Sequence, residues 1–92
     1  MSERRFRNVV GPACAKIRKR AGLTQAQLAA QCSVSGFHLS RQSLARIECQ
    51  HREVTDYELM ILARILKVPL QELFPNTPPK WAKHRISGHW KD

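Results

Sequence analysis

The sequence has no apolar run long enough to cross a bilayer, and no apolar segment follows its basic N-terminus as a secretory signal requires. Cysteine is scarce, with three residues in 92, and no two of them have C-x-x-C spacing. An odd number of cysteines without that spacing argues against a disulfide framework. We therefore expect a cytoplasmic protein with free thiols, at least two of them packed in the core.

Motifs that carry catalysis are also missing. The chain has no glycine-rich phosphate loop, no paired carboxylates on one predicted helix face and no nucleophile elbow. Cys49-x-His51 could supply two metal ligands, yet its spacing to the other histidines and cysteines matches no zinc pattern. We expect no enzymatic activity, no metal, no cofactor and no small-molecule ligand.

Acidic residues are few, with 7 Asp and Glu against 16 Lys and Arg, which gives a formal net charge of +9 and a pI near 10.4. A surplus of this size favours a polyanionic partner, because cationic side chains release counterions from phosphates. The charge is uneven: residues 1–20 carry a net charge of +6, whereas residues 53–74 carry a net charge of −2. One end of the molecule should therefore be positive.

The same N-terminal capping pattern occurs at three positions in the sequence and predicts three helix starts. A helix N-terminus can be capped by the hydroxyl of Thr24, Ser40 or Thr55. Each of the three follows directly after an apolar residue and has a second apolar residue four positions later, which allows a hydrophobic staple. Gln27 and Glu58 occupy the third helical position after the two threonines, which completes a capping box at both. The spacing therefore predicts three helices that begin within a short stretch of chain.

The whole chain is predicted to be all-α, with one five-helix domain at residues 11–74, a basic N-terminal arm at residues 1–10 and a C-terminal tail at residues 75–92 that contains Pro and Trp. The predicted helices run from Gly11, read as a cap, to Gly22, from about Thr24 to Cys32, from about Arg41 to Glu48, from about Asp56 to Leu66, and from Leu70 to Phe74. A chain of this length forms one domain with a modest core.

The third predicted helix, from about Arg41 to Glu48, contains the residues that we expect to contact DNA bases. With Leu44 and Ile47 turned into the core, its opposite face is open. Arg can bond guanine through two hydrogen bonds, Gln can bond adenine in the same way, and the Ala methyl can touch thymine. The predicted base-reading residues are Arg41, Gln42, Ala45 and Arg46. The alternative is that these are ordinary solvated surface residues.

Residues 11–74 resemble the phage repressor and Cro type of helix-turn-helix domain, often called the XRE family. The matching stretches are Ile17-Arg18 through Gly22-Leu23-Thr24-Gln25-Ala26-Gln27-Leu28-Ala29, then Arg41-Gln42-Ser43-Leu44-Ala45-Arg46-Ile47-Glu48, then Leu59 through Leu66-Lys67-Val68-Pro69-Leu70 to Leu73-Phe74. The resemblance implies a five-helix domain that places its third helix in the major groove of double-stranded DNA. It departs from the family at Gly36–Ser40, which lengthens the turn before that helix, and at Cys49-Gln50, where the family commonly has Asn-Gly.

The resemblance also implies roles for polar residues outside the base-reading set. Arg18 and Glu48 match a family pair that forms an ion pair between the first and third helices, and Gln25 matches a position that bonds a phosphate. The expected phosphate contacts are Thr24, Gln25, Ser43, His51 and Arg52. Arg4, Arg5 and Arg7 form either an arm along the DNA backbone or minor groove, or a disordered solubilising tail.

Helix 56–66 carries more apolar residues than a core-facing stripe needs. Leu59, Leu62, Ala63 and Leu66 suffice to cover the core, which leaves Tyr57, Ile61 and Ile65 on a neighbouring stripe. We predict that these three line a homodimer interface, as in the two-fold dimers of related domains. The alternative is that Trp81 or Trp90 of the chain's own tail covers them.

Two functions remain open at this point. The favoured one is a sequence-specific DNA-binding transcriptional regulator that acts by occupying an operator as a dimer. The other is a protein-interaction module of the same fold, such as an antitoxin-like or accessory subunit. A further expectation concerns the lengthened turn: Phe37 should pack against the core and Leu39 should staple onto Leu44, so that this segment is ordered.

Overall fold

The computed structural model describes residues 6–77, and they form four α-helices and one 3-10 turn, with no strand among them. The helices are α1 (Gly11–Arg20), α2 (Gln25–Val34), α3 (Arg41–Glu48) and α4 (Asp56–Leu66), and the 3-10 turn spans Leu70–Leu73. The all-α prediction is confirmed. The fifth predicted helix is only this turn, because four residues after Pro69 are too few for an α-helical hydrogen-bond ladder. Arg4, Arg5, Trp81 and Trp90 lie outside the described residues.

The three predicted helix starts are confirmed. Thr24 Oγ1 accepts from the Gln27 amide at 3.0 Å while Gln27 Oε1 accepts from the Thr24 amide at 2.8 Å. Thr55 and Glu58 form the same reciprocal pair, at 3.1 and 3.0 Å. Ser40 Oγ accepts from the amide of the third helical residue at 3.0 Å. Each cap satisfies backbone donors that the helix cannot use itself.

The four α-helices also end alike. Just past the end of each helix, one residue has a left-handed φ. The backbone amide of the following residue then donates to the carbonyl five residues earlier, which is the Schellman motif. The left-handed residues are Gly22 (φ 80), Gly36 (φ 96), Gln50 (φ 67) and Lys67 (φ 61). The reaching amides are Leu23 to Arg18, Phe37 to Cys32, His51 to Arg46 and Val68 to Ala63, at 2.8 to 3.1 Å. Because α2 is terminated by the left-handed Gly36, it extends to Val34, two residues beyond the predicted end at Cys32.

The core is one cluster to which every α-helix contributes. Its fully buried side chains are Cys14, Leu28, Cys32, Leu44, Ile47, Leu62 and Leu73. Burial raises the pKa of the Cys14 thiol to about 12 and that of the Cys32 thiol to about 11, so both stay protonated. Cys49 is exposed, and all three thiols are free. The expectation of free thiols with two in the core is confirmed.

The lengthened turn is part of that core. Phe37 is 4% exposed and Leu39 is 5% exposed, and both belong to the same hydrophobic cluster as Leu44. Their predicted burial is confirmed. The turn therefore adds apolar contacts to the domain.

Gly11 allows α1 and α3 to approach closely, and it is not the helix cap that the sequence predicts. The acceptor at the start of α1 is Asn8 Oδ1, which receives the amides of Val10 and Gly11 at 3.1 and 2.8 Å. A Cβ on Gly11 would meet the carbonyl oxygen of Ile47 and would lie 2.8 Å from that of Glu48. Glycine therefore allows α1 to begin directly against the end of α3.

Candidate nucleic-acid interface

The open face of α3 is the one that periodicity predicts. Leu44 and Ile47 are completely buried, whereas Arg41, Gln42 and Arg46 are exposed. Ala45 and Ser43 are half-buried. Two guanidinium groups, one amide and one methyl therefore share a surface of the kind that base edges in a major groove can contact.

Charge reinforces this surface. No acidic residue occurs between positions 21 and 47. Four of the seven arginines of residues 6–77 have a carboxylate partner, in the pairs Arg7–Glu53, Arg18–Glu48, Arg20–Glu72 and Arg52–Glu58. Within that described range, neither Arg41 nor Arg46 has a carboxylate within 4.0 Å. The positive charge of α3 is thus left unneutralised where a polyanion could approach.

A buried ion pair fixes the orientation of α3. Arg18 Nε lies 2.7 Å from Glu48 Oε2, and Arg18 Nη2 lies 3.1 Å from Glu48 Oε1. The side chains are only 9% and 6% exposed. The hydrogen bond with Glu48 raises the pKa of Arg18 against the opposing effect of burial. Arg18 also donates to the Leu23 carbonyl at 2.8 Å, so a single guanidinium joins α1, the start of α2 and the end of α3.

Gln25 belongs to this network. Its Nε2 donates to Glu48 Oε1 at 2.9 Å, which uses one of its two amide hydrogens. The backbone amides of Gln25 and Ala26 begin α2 and have no intrahelical acceptor. The start of α2 therefore offers backbone donors beside a fixed side chain, an arrangement that attracts phosphates. Thr24 is exposed at the same end, with its oxygen engaged in the cap.

Arg52, a predicted phosphate contact, is engaged within its own chain in the structure. Its guanidinium makes a two-point pair with Glu58, at 3.2 and 3.3 Å, and donates to the Glu53 carbonyl at 3.0 Å. Burial alone would raise the pKa of Glu58, but hydrogen bonds from Arg52 and Thr55 lower it. Because the capping box already holds the Glu58 carboxylate, Arg52 folds back onto it and fixes the α3–α4 connection. His51 is exposed beside it.

Asn8 and Gln50 form contacts that the sequence did not predict. Asn8 Nδ2 donates to the carbonyls of Ile47 and Arg52 at 3.1 and 2.8 Å, and Gln50 Nε2 donates to the Asn8 carbonyl at 3.0 Å. The Arg7 amide donates to the Gln50 carbonyl at 2.9 Å. These bonds hold the segment before α1 against the end of α3. The available signal was an Asn three residues before Gly11, a pattern typical of an Asx turn.

The predicted apolar stripe of α4 is divided in the structure between the core and the surface. Ile61 is 7% exposed and belongs to the core cluster, in a region where α2 and α4 pack together, so little of its side chain is open to a partner. Tyr57 is 53% exposed and Ile65 is half-buried. Two further apolar residues join them: Val34 on α2 is 89% exposed and Met60 is 46% exposed. We call Val34, Tyr57, Met60 and Ile65 the α2–α4 apolar surface; it borders two shallow grooves that share Ser35 and Ile65.

The described residues contain neither a group of metal ligands nor a membrane-spanning helix. No three His, Cys, Asp or Glu side chains among residues 6–77 are grouped so that they could hold a metal ion. No helix in that range is long and apolar enough to cross a membrane.

Comparison with known proteins places the chain among similar folds. A family model described as helix-turn-helix matches residues 15–73. The crystal structure of the restriction-modification controller protein C.AhdI from Aeromonas hydrophila is similar, with a TM-score of 0.62 and 28% identity over 71% of this chain and 87% of that one. The BldD DNA-binding domain from S. venezulae has a TM-score of 0.61 and 27% identity over 76% of this chain and 97% of that one.

A third structure shares the fold. It is a hypothetical transcription factor, NHTF from Neisseria, with a TM-score of 0.64 and 21% identity over 94% of this chain and 90% of that one. No curated protein sequence matches the chain.

Proposed function

Since the chain belongs to the XRE-type helix-turn-helix family of DNA-binding transcription regulators, we propose that it binds a specific double-stranded operator as a dimer and regulates transcription by occupying it. The observation that carries the proposal is the open face of α3, where Arg41 and Arg46 have no acidic partner in the described part of the chain. The buried Arg18–Glu48 pair holds this face in a fixed orientation, which base recognition requires.

Different parts of the surface serve different DNA contacts. Arg41, Gln42, Ala45 and Arg46 read base edges from α3, and the start of α2 bonds a phosphate through backbone amides and Gln25. Weaker contacts to the sugar-phosphate backbone of the DNA come from Thr24, Ser43 and His51. Arg52 is a further proposed phosphate contact, and its pair with Glu58 also fixes the connection that carries His51.

The dimer uses the α2–α4 apolar surface of each copy. Its four residues present an apolar area with Arg64 as the charged residue on its border. The surface is continuous with the lengthened turn, because a Cβ on Gly36 would lie 3.7 Å from the Tyr57 hydroxyl. Pairing through this surface therefore couples two copies close to the segment that leads into α3, and predicts a near-palindromic operator.

Selection of binding sites from random duplex DNA, followed by sequencing, tests the proposal directly. A reproducible consensus with a steep fall in affinity between 50 and 200 mM salt is expected, since several phosphates are neutralised in such complexes. An absence of any enriched sequence would overturn it. Binding to a protein partner with little salt dependence would instead favour the interaction module of the same fold.

A further inference from the structure

The lengthened turn between α2 and α3, residues 36–40, has a defined conformation. Gly36 takes the left-handed φ that ends α2, and the Phe37 amide then donates to the Cys32 carbonyl at 2.9 Å. The Leu39 amide reaches Ser33 Oγ at 3.4 Å, and Ser40 caps α3. The segment is therefore anchored at the Phe37 amide by a backbone carbonyl, and at the Leu39 amide by a serine hydroxyl.

Its side chains alternate between the core and the surface. Phe37 and Leu39 are 4% and 5% exposed, whereas His38 between them is exposed. Because both neighbours of His38 are anchored in the core, its imidazole is left on the outer side of the turn. Phe37 is also held from a second direction by the Arg52 guanidinium, 6.0 Å from its ring centre. The position of His38 is thus fixed by packing on both sides.

This position adjoins the candidate interface. His38 precedes Arg41 by three residues and lies at the same end of α3 as Arg41 and Gln42. The stretch from 21 to 47 that contains it has no acidic residue. An imidazole N–H is a hydrogen-bond donor at this end of the helix, where phosphate oxygens and purine acceptors would lie.

We propose that His38 is a further DNA-contacting residue, carried by the lengthened turn, that donates a hydrogen bond to a phosphate or base-edge acceptor next to the bases read by α3. The inference rests on the proposed DNA-binding function and extends the reading surface beyond α3. Since packing already fixes the turn, little conformational entropy is lost when the contact forms. The added residues thus lengthen the bound site at its edge.

The test compares His38→Ala, His38→Gln and the wild type on the selected duplex by fluorescence anisotropy. Because His38 is exposed, His38→Ala should melt at the wild-type temperature while its affinity falls about tenfold. His38→Gln keeps an N–H donor and should recover part of that loss. Lys67→Gln, which removes an exposed charge at the far end of α4, is the matched control and should bind like the wild type.

Repeating the selection with His38→Ala identifies the acceptor. Loss of preference at one edge position indicates a base, whereas an equal loss on all duplexes indicates a phosphate. Unchanged affinity of His38→Ala, with Gln42→Ala weakened, overturns the role of His38 and leaves the proposed function intact. If the wild type itself selects no DNA, the proposed function fails first.

Discussion

In the proposed complex, base reading depends most on the side chains of Gln42 and Arg41. Both are exposed in the first turn of α3, the part of the helix closest to base edges in domains of this architecture. We predict that Gln42→Ala and Arg41→Ala each cost about 1 to 3 kcal/mol on the selected site and relax the consensus at one position. Gln25→Ala, at the start of α2 where we propose a phosphate contact, should weaken binding to all sequences by a similar factor. Equal losses of the α3 variants on selected and random DNA would contradict base reading.

Lys67 is a residue whose backbone conformation costs stability. It holds φ at 61° with a Cβ, in the position that glycine usually occupies at a helix end. Lys67→Gly should therefore stabilise the domain by about 1 kcal/mol, which raises its melting temperature by about 4 to 8 °C. Lys67→Ala keeps the Cβ and is the control. If both variants melt at the same temperature, the left-handed residue is not a source of strain.

Glu58 makes the stability of the domain depend on pH. Since hydrogen bonds lower its pKa in the folded state below the ordinary 4.5, its contribution is present above pH 4.5 and is lost as the pH falls through the lowered value. Glu58→Gln keeps an acceptor for the Thr55 amide but loses the charge. Urea unfolding should show the variant less stable than the wild type at pH 7, with a smaller difference at pH 3. A difference that is constant or that grows on acidification would argue against this origin.

At the level of elements, the contact between α1 and α3 depends on Arg18 and Glu48. Removing one partner leaves a charge in a site less than a tenth exposed, which costs about 3 to 5 kcal/mol. Arg18→Met and Glu48→Gln should each destabilise the domain by that order, and the double variant by clearly less than their sum. The exposed Arg20–Glu72 pair, at 4.0 Å, provides a control cycle that should be nearly additive. Additivity in both cycles would show that the buried pair is not coupled.

The starts of the helices could be predicted from sequence and some contacts between them could not. Thr24, Ser40 and Thr55 act on amides three residues away, so their role is visible in the local pattern. The burial of Ile61 was not predicted, because it depends on how α2 and α4 pack against each other. The pair between Arg52 and Glu58 was not predicted either, because it depends on the path of the chain between α3 and α4. Left-handed Gln50 was equally hidden, since its side chain bonds Asn8, 42 residues away.

For the whole molecule, the proposed dimer depends on the α2–α4 apolar surface. Val34 is 89% exposed, so Val34→Glu leaves the folded monomer intact while it places a charge in the proposed dimer contact. We predict that the wild type sediments as a dimer at micromolar concentration or on a palindromic duplex, with half-sites roughly 34 Å apart, and that Val34→Glu does not. Leu70→Glu, at an apolar residue 45% exposed on the 3-10 turn, is the control. A wild-type monomer that selects one unrepeated half-site would defeat the proposal.

The exposed thiol of Cys49 gives the molecule a native attachment point for a reporter. Cys14 and Cys32 are buried and protonated, whereas Cys49 is exposed at the end of α3. A maleimide dye should therefore couple at one position in the folded wild-type chain, without any engineered cysteine. Placed one residue past the proposed reading helix, such a dye would follow the arrival and departure of DNA in real time, and would yield the association and dissociation rates of the complex.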